Sequence, residues 1–182
     1  CWSLVGSEMC IRDSPNIVSK IGDICIKAYK ENSIGTIIKH IPGHGLAKVD
    51  SHFSTPYINK SLNYLLKNDF KAFKNKNSFF AMTGHLIFNQ IDKDNTVTHS
   101  RKMIDIIRKK VGFRNLLISD DLSMKSLKKG LKINTIDTFK AGCNLALHCN
   151  GKLKEMEIVG KNSPLVSKFI IKKTSQFYNI LR

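Results

Sequence analysis

The run Leu116-Leu117-Ile118-Ser119-Asp120-Asp121-Leu122-Ser123-Met124 sets two acids directly behind a short apolar segment. Leu116 to Ser119 has the length and apolarity of a buried strand. Carboxylates at such an end are costly unless something pairs with them. One solution is structural, with Asp120 or Asp121 satisfying free N–H groups of a following helix. The other is chemical, a carboxylate held at a strand end to meet a ligand. Neighbouring side chains diverge, so at most one of the two acids faces a reaction.

Working outward, the same alternation repeats on both sides. Met103, Ile104, Ile106, Ile107 and Val111 mark a helix closed by Gly112, and Phe79 to Thr83 is a second strand. Residues 60–75 look helical, and Ile34 to Lys39 is a short β-branched strand. Ile17, Val18, Ile21, Ile24, Cys25 and Ala28 recur at helical spacing. Downstream, a helix from Asn134 to Ala141 stops at Gly142, Asn144 to His148 is a fourth strand, and residues 164–181 look helical. Strands joined by long helical crossovers are parallel, with the helices outside. An open doubly wound sheet and part of a closed barrel both satisfy that pattern. A polar, reactive residue follows every strand: His40, His85, Asp120 and Asn150. Chemistry at the carboxyl ends of successive strands is how an eight-unit barrel builds its site. The expectation is an α/β fold, the C-terminal part of a (β/α)8 TIM barrel, since a whole barrel takes ~250 residues and this chain has 182.

Residues 15–182 form the expected partial barrel; residues 1–14, CWSLVGSEMCIRDS, do not fit it. This leading segment holds the only Trp and two of the five Cys, has no sustained periodicity, and lacks the form of a signal peptide. It resembles the translated read-through of a sequencing adapter, so it is expected to be an artefact or disordered, with the natural protein cut near Pro15.

Composition excludes several classes. Leu, Ile, Val and Phe make about 30% of the chain, enough for a packed core. No apolar run approaches the ~18 residues of a membrane span. Five cysteines without metal-ligand spacing fit neither a disulfide scaffold nor a zinc site. The net charge is +16, yet 25 of the 30 cations are Lys, spread along the whole chain. Nucleic-acid sites favour clustered Arg among aromatics, so a solvated lysine coat is expected and no nucleic acid or membrane partner.

Lys39-His40-Ile41-Pro42-Gly43-His44-Gly45 is followed by Asp50-Ser51-His52. Pro42 and Gly43 between the first two histidines rule out a zinc-binding helix. The glycines let the loop fold tightly over a ligand. Asp50 and His52 lie close enough to hydrogen-bond on a turn, which would fix the imidazole tautomer and raise its basicity. Asp-x-His also occurs in ordinary loops, so spacing alone leaves both readings open.

Taken together, KHIPGHG, DSH, MTGH, ISDDLSM and AGCNLALHCN, in that order, resemble the family-three glycoside hydrolases, and within them the bacterial β-N-acetylglucosaminidases of peptidoglycan recycling. The resemblance implies a retaining mechanism. By motif position it makes Asp120 the nucleophile, His52 the general acid/base, Asp50 its dyad partner, and Lys39 and His40 ligands of substrate hydroxyls. Asp121 is then structural. It implies a small carbohydrate substrate, an N-acetylglucosaminyl muropeptide, with no cofactor and no metal. Asp92 and Asp94 lack the spacing of a calcium loop. The family's aspartate and arginines that bind N-acetylglucosamine have no counterpart before Pro15. Free cysteines and no visible leader point to the cytoplasm. Two other functions fit less well: a β-glucosidase or phosphorylase of the same family, and a basic polyanion-binding module.

Overall fold

The computed structural model describes residues 14–181. Helix α1 (Pro15–Glu31) begins where Ser14 Oγ accepts the N–H of Ile17, with proline at the first helical turn. Ser14 therefore belongs to the helix rather than to the leading segment. The rest of that segment, residues 1–13, lies outside the described residues.

Along the chain follow β1 (Ile37–Ile41), β2 (Tyr57–Ile58), α2 (Leu62–Lys67), β3 (Phe80–Thr83), β4 (Ile87–Phe88), α3 (Arg101–Ile106), β5 (Leu116–Asp121), α4 (Leu131–Ala141), β6 (Leu145–Leu147), α5 (Leu153–Lys161) and α6 (Lys168–Tyr178). The main sheet runs β1-β3-β5-β6 with every neighbouring pair parallel. A doubly wound sheet reverses its strand order at a switch point. Here the order follows the chain without reversal, as in consecutive barrel units. A second, two-stranded parallel sheet joins β2 to β4 on the loops after β1 and β3.

Ser100 caps α3 by accepting from Met103 N–H, a π turn continues it to Val111, and Gly112 at φ 83° ends it. Arg108 then donates to the carbonyls of Phe113 and Asn115 and to Asn144 Oδ1, which ties α3 to the starts of β5 and β6. Between helices and sheet, Leu65, Phe70, Phe88, Met103, Ile107, Phe113 and Leu117 are fully buried. Phe70 and Phe88 meet edge-on at 5.1 Å.

Several boundaries differ from the sequence expectation: the first and third main strands run two residues further, to Ile41 and Asp121, so that His40 and Asp120 lie within strands rather than after them, and α4 begins at Leu131 rather than Asn134. The first strand starts at Ile37 rather than Ile34, because the N–H groups of Ser33 and Ile34 close α1 by donating to the carbonyls of Lys30 and Tyr29. The expected helix over 60–75 breaks at Asn68, whose side chain donates to Tyr64 O, and resumes as a 3-10 turn over Asp69–Phe73. Helix α5 was not anticipated, since its apolar residues Leu153 and Met156 remain exposed and carry no core signal.

Candidate active site

The strand register brings the carboxyl ends of the four main strands together, with Ile41 opposite Thr83 and Asp121 opposite Leu147. At that end His40, from β1, reaches past β3 to Asp120 on β5. His40 Nε2 lies 3.4 Å from Asp120 Oδ2, and the Asp120 side chain is 16% exposed. Side chains from alternate strands meeting at one level is how a barrel interior is filled. Asp120 Oδ1 accepts the N–H of Asp121 at 2.8 Å, which turns the second oxygen toward His40. Burial holds the His40 imidazole below its usual pKa, with His44 and Lys39 adding repulsion against the pull of Asp120. A neutral ring there can accept or donate one hydrogen bond.

The neighbouring acid faces away. Asp121 accepts from Ser123 N–H, Ser123 Oγ–H and the N–H of Cys149. These bonds close the turn after β5 and fasten it to the end of β6, and they keep the carboxyl below its ordinary pKa against the cost of burial. Beneath it, buried His85 accepts from Thr98 Oγ1 through Nδ1 and donates through Nε2 to the Asp121 carbonyl at 3.0 Å. Burial keeps His85 neutral, so it supports the strand end rather than moving protons. Asn150 donates to the Glu155 carboxylate and accepts from Lys152 N–H, which turns the chain into α5.

Asp50 and His52 form a pair on a tight turn. Asp50 Oδ1 lies 2.7 Å from His52 Nδ1 and accepts the His52 backbone N–H at 2.9 Å. Those two bonds depress the Asp50 carboxyl. A carboxylate on Nδ1 makes that nitrogen the proton carrier of the neutral ring and leaves Nε2 for other partners. The pair is exposed, His52 by 70% of its side chain. Thr55, three residues on, donates to the carbonyl of Ser126 at 2.8 Å, joining this loop to the one after Asp120. The dyad and the strand-end acid thus share one rim of the sheet.

Lys39 and His40 line a cleft of about 620 Å³ with His44, Tyr64, Asn68 and Asp69. His44 and Asp69 were not assigned a role from sequence. The His44 ring stands 5.3 Å from that of His40, and Asp69 Oδ1 accepts the N–H of Gly45. A Cβ on residue 43 would run into the Asp69 carboxylate, so a side chain there would have to displace it. The pair of glycines around His44 was the available signal, but the acid they approach is 24 residues away. Asp50, His52 and Asp120 are not among the cleft-lining residues. Among the described residues, no group of three or more His, Cys, Asp or Glu could hold a metal ion.

The sequence profile described as "Glycosyl hydrolase family 3 N terminal domain" matches residues 6–174, overlapping part of the leading segment. A β-hexosaminidase of Idiomarina loihiensis is 27% identical over 168 residues, covering 90% of this chain and 51% of that protein. The structure of CbsA from Thermotoga neapolitana is similar at a TM-score of 0.78 and 26% identity, covering 91% of this chain and 42% of that one. NagZ from Neisseria gonorrhoeae in complex with N-trifluoroacetyl-D-glucosamine matches at 0.78 and 25%, covering 90% and 49%. The chain spans about half the length of the curated relatives it matches.

Proposed function

Because the chain belongs to the glycosyl hydrolase family 3 N-terminal-domain family, we propose that it supplies the C-terminal part of the catalytic barrel of a retaining exo-β-N-acetylglucosaminidase. One observation carries the reading: a carboxylate at a strand end, with one oxygen turned to an imidazole, lies on the same rim as an Asp–His dyad. Asp120 attacks the anomeric carbon as the bond to the leaving oxygen breaks, forming a glycosyl ester. His52 gives that oxygen its proton, then takes one from the water that displaces Asp120 from the same carbon. Asp50 orients His52, while Lys39 and His40 hold the sugar hydroxyls. Two carboxylates ~5–5.5 Å apart are the common retaining pair. A histidine serves equally well in principle, since its reference pKa near ~6.5 lets it give and take a proton near neutral pH.

The substrate we infer is a muropeptide ending in β-linked N-acetylglucosamine, as in peptidoglycan recycling. The NagZ structure with a glucosamine derivative supports that sugar. Cys25, Cys143 and Cys149 are unpaired thiols, in keeping with a reducing cytoplasm, and no helix among the described residues is long and apolar enough to cross a membrane. A phosphorylase is the second reading, because an exposed imidazole repels incoming phosphate less than a carboxylate does. Incubating the complete enzyme with a slow fluorinated N-acetylglucosaminide and sequencing the labelled peptide tests the first. A sugar ester on Asp120 is expected, and a label elsewhere would overturn it. Product analysis with and without phosphate separates hydrolysis from phosphorolysis.

A further inference from the structure

Asp69, His44, His40 and Asp120 stand in a row that leads from the cleft to the strand-end acid. The half of the row nearer the sheet is the site already described; Asp69 and His44 have no role so far. Asp69 opens the 3-10 turn Asp69–Phe73, and the next residue, Phe70, is fully buried and packed edge-on against Phe88. A core anchor one residue away fixes the backbone that carries the carboxylate. That carboxylate meets the loop after β1 on both sides of His44. Its Oδ1 accepts the N–H of Gly45 at 3.3 Å, and it lies so close to Gly43 that a Cβ there would run into it. Carried between those two residues, the His44 ring stands 5.3 Å from the His40 ring at an angle of 51°. Gly84, just after β3, backs both histidines: a Cβ on it would lie 3.3 Å from His40 Cβ and from His44 Cδ2.

We propose that Asp69 is a positioning residue for His40: by holding residues 43–45 it sets His44 as a brace, and the brace fixes the angle at which His40 meets Asp120 and a substrate hydroxyl. Strand β1 fixes the His40 backbone, which leaves the torsions of its ring to be set by what packs against it. His44 is such a neighbour, and its own place depends on the grip of Asp69. The grip adds little to folding. At 3.3 Å the bond to Gly45 is longer than the usual range of about 2.7–3.2 Å. Burial pushes the Asp69 carboxyl above its ordinary pKa, and the Gly45 bond and the attraction of His44 oppose that shift only in part. A half-buried acid with one long bond among the described residues is a poor device for stability. Its placement is better explained by the geometry it imposes, since misplacing a binding group by about 1 Å can slow a reaction on the order of 10²-fold.

The inference rests on the reading of His40 as a sugar ligand, and the test keeps the two apart. A double-mutant cycle in the complete enzyme, read by steady-state kinetics on an N-acetylglucosaminide, isolates the coupling. Asp69→Ala should lower kcat/KM about tenfold, or about 1.4 kcal/mol, mainly through KM. Asp69→Asn keeps an acceptor for the Gly45 N–H and should restore most of that loss. In a His40→Ala background Asp69→Ala should have no further effect, because its path to the sugar is gone. Followed without substrate, the His40 ring-proton resonance should move in Asp69→Ala, while those of His52 and His99 stay in place. An equal further loss in the His40→Ala background would make Asp69 a direct ligand of substrate and overturn the proposal. So would an unmoved His40 resonance, or a failure of Asp69→Asn to restore what Asp69→Ala loses. Melting temperatures of both Asp69 variants should match the parent enzyme; a large fall would make the residue structural and overturn the proposal as well. Undiminished turnover in His40→Ala would instead defeat the sugar-ligand assignment, and a moved His40 resonance in Asp69→Ala would still uphold the placement.

Discussion

His40 Nε2 and Asp120 Oδ2 lie 3.4 Å apart although their strands are not neighbours, with β3 between them. The contact exists because the sheet curves, so alternate strands aim side chains at one interior. It also divides the acid pair: Asp120 has one oxygen toward the imidazole, while Asp121 is bonded into the turn.

Asp120→Ala in the complete enzyme should abolish turnover and leave folding nearly intact. Asp121→Ala should do the reverse. It removes acceptors for Ser123 and Cys149, where bonds to a charged group are worth about 1.5–3 kcal/mol each before the gain of water as a new partner. Denaturant unfolding beside kcat measurements checks both. Activity lost in Asp121→Ala without any loss of stability would move the nucleophile by one residue.

His52→Ala should slow a natural sugar leaving group far more than an activated phenol. A phenolate leaves without protonation, so only deglycosylation still lacks its base. General acid–base help is typically ~10²–10⁴-fold, which sets the expected gap between substrates. Asp50→Ala should show the same selectivity more weakly, because the proton carrier remains when its orienter is lost. Equal losses on both substrates would make His52 a binding residue.

Stability should fall between pH 6.5 and about 4 through His99. Its folded pKa is pushed down to about 4 from 6.5, so the unfolded chain binds the proton first. The contribution is present above 6.5 and is lost as pH falls through the folded value, about 3 kcal/mol in all at 1.36 per unit. His40 and His85, also depressed, add to the same limb. The depressed carboxyls of Asp92 and Asp121 act lower, below their reference value of 3.8. His99→Gln keeps a donor for the Asn134 carbonyl, to which His99 Nε2 donates, and should flatten the upper window in urea unfolding curves. An unchanged pH profile would reject this origin.

A polypeptide of these 182 residues alone should show no glycosidase activity and should self-associate. Among the described residues β1 and β6 are open edges of the main sheet, and Ile17, Ile21, Ile24, Ile37 and Leu165 are exposed apolar groups. Light scattering on purified chain and release of a chromophore from an N-acetylglucosaminide measure both. A monomer as active as a complete relative would refute it.

By itself the sequence determined the alternation of strands and helices, their parallel sense, and which residues stand at strand ends. Those features are written in local periodicity and in stop signals such as Gly112 and Gly142, whose positive φ angles of 83° and 115° only glycine takes freely. The Asp50–His52 pair was legible too, since two residues of spacing fit one turn. Tertiary structure alone decided how far each of these reaches. It showed Asp69 against Gly43 and His44 beside His40. Such contacts join residues up to 26 positions apart, as from Gly43 to Asp69. No local pattern encodes them, because they depend on sheet curvature and on which loop packs against which. The starting point of the first strand was decided the same way, when closing α1 engaged the N–H groups of Ser33 and Ile34 that strand pairing would have used.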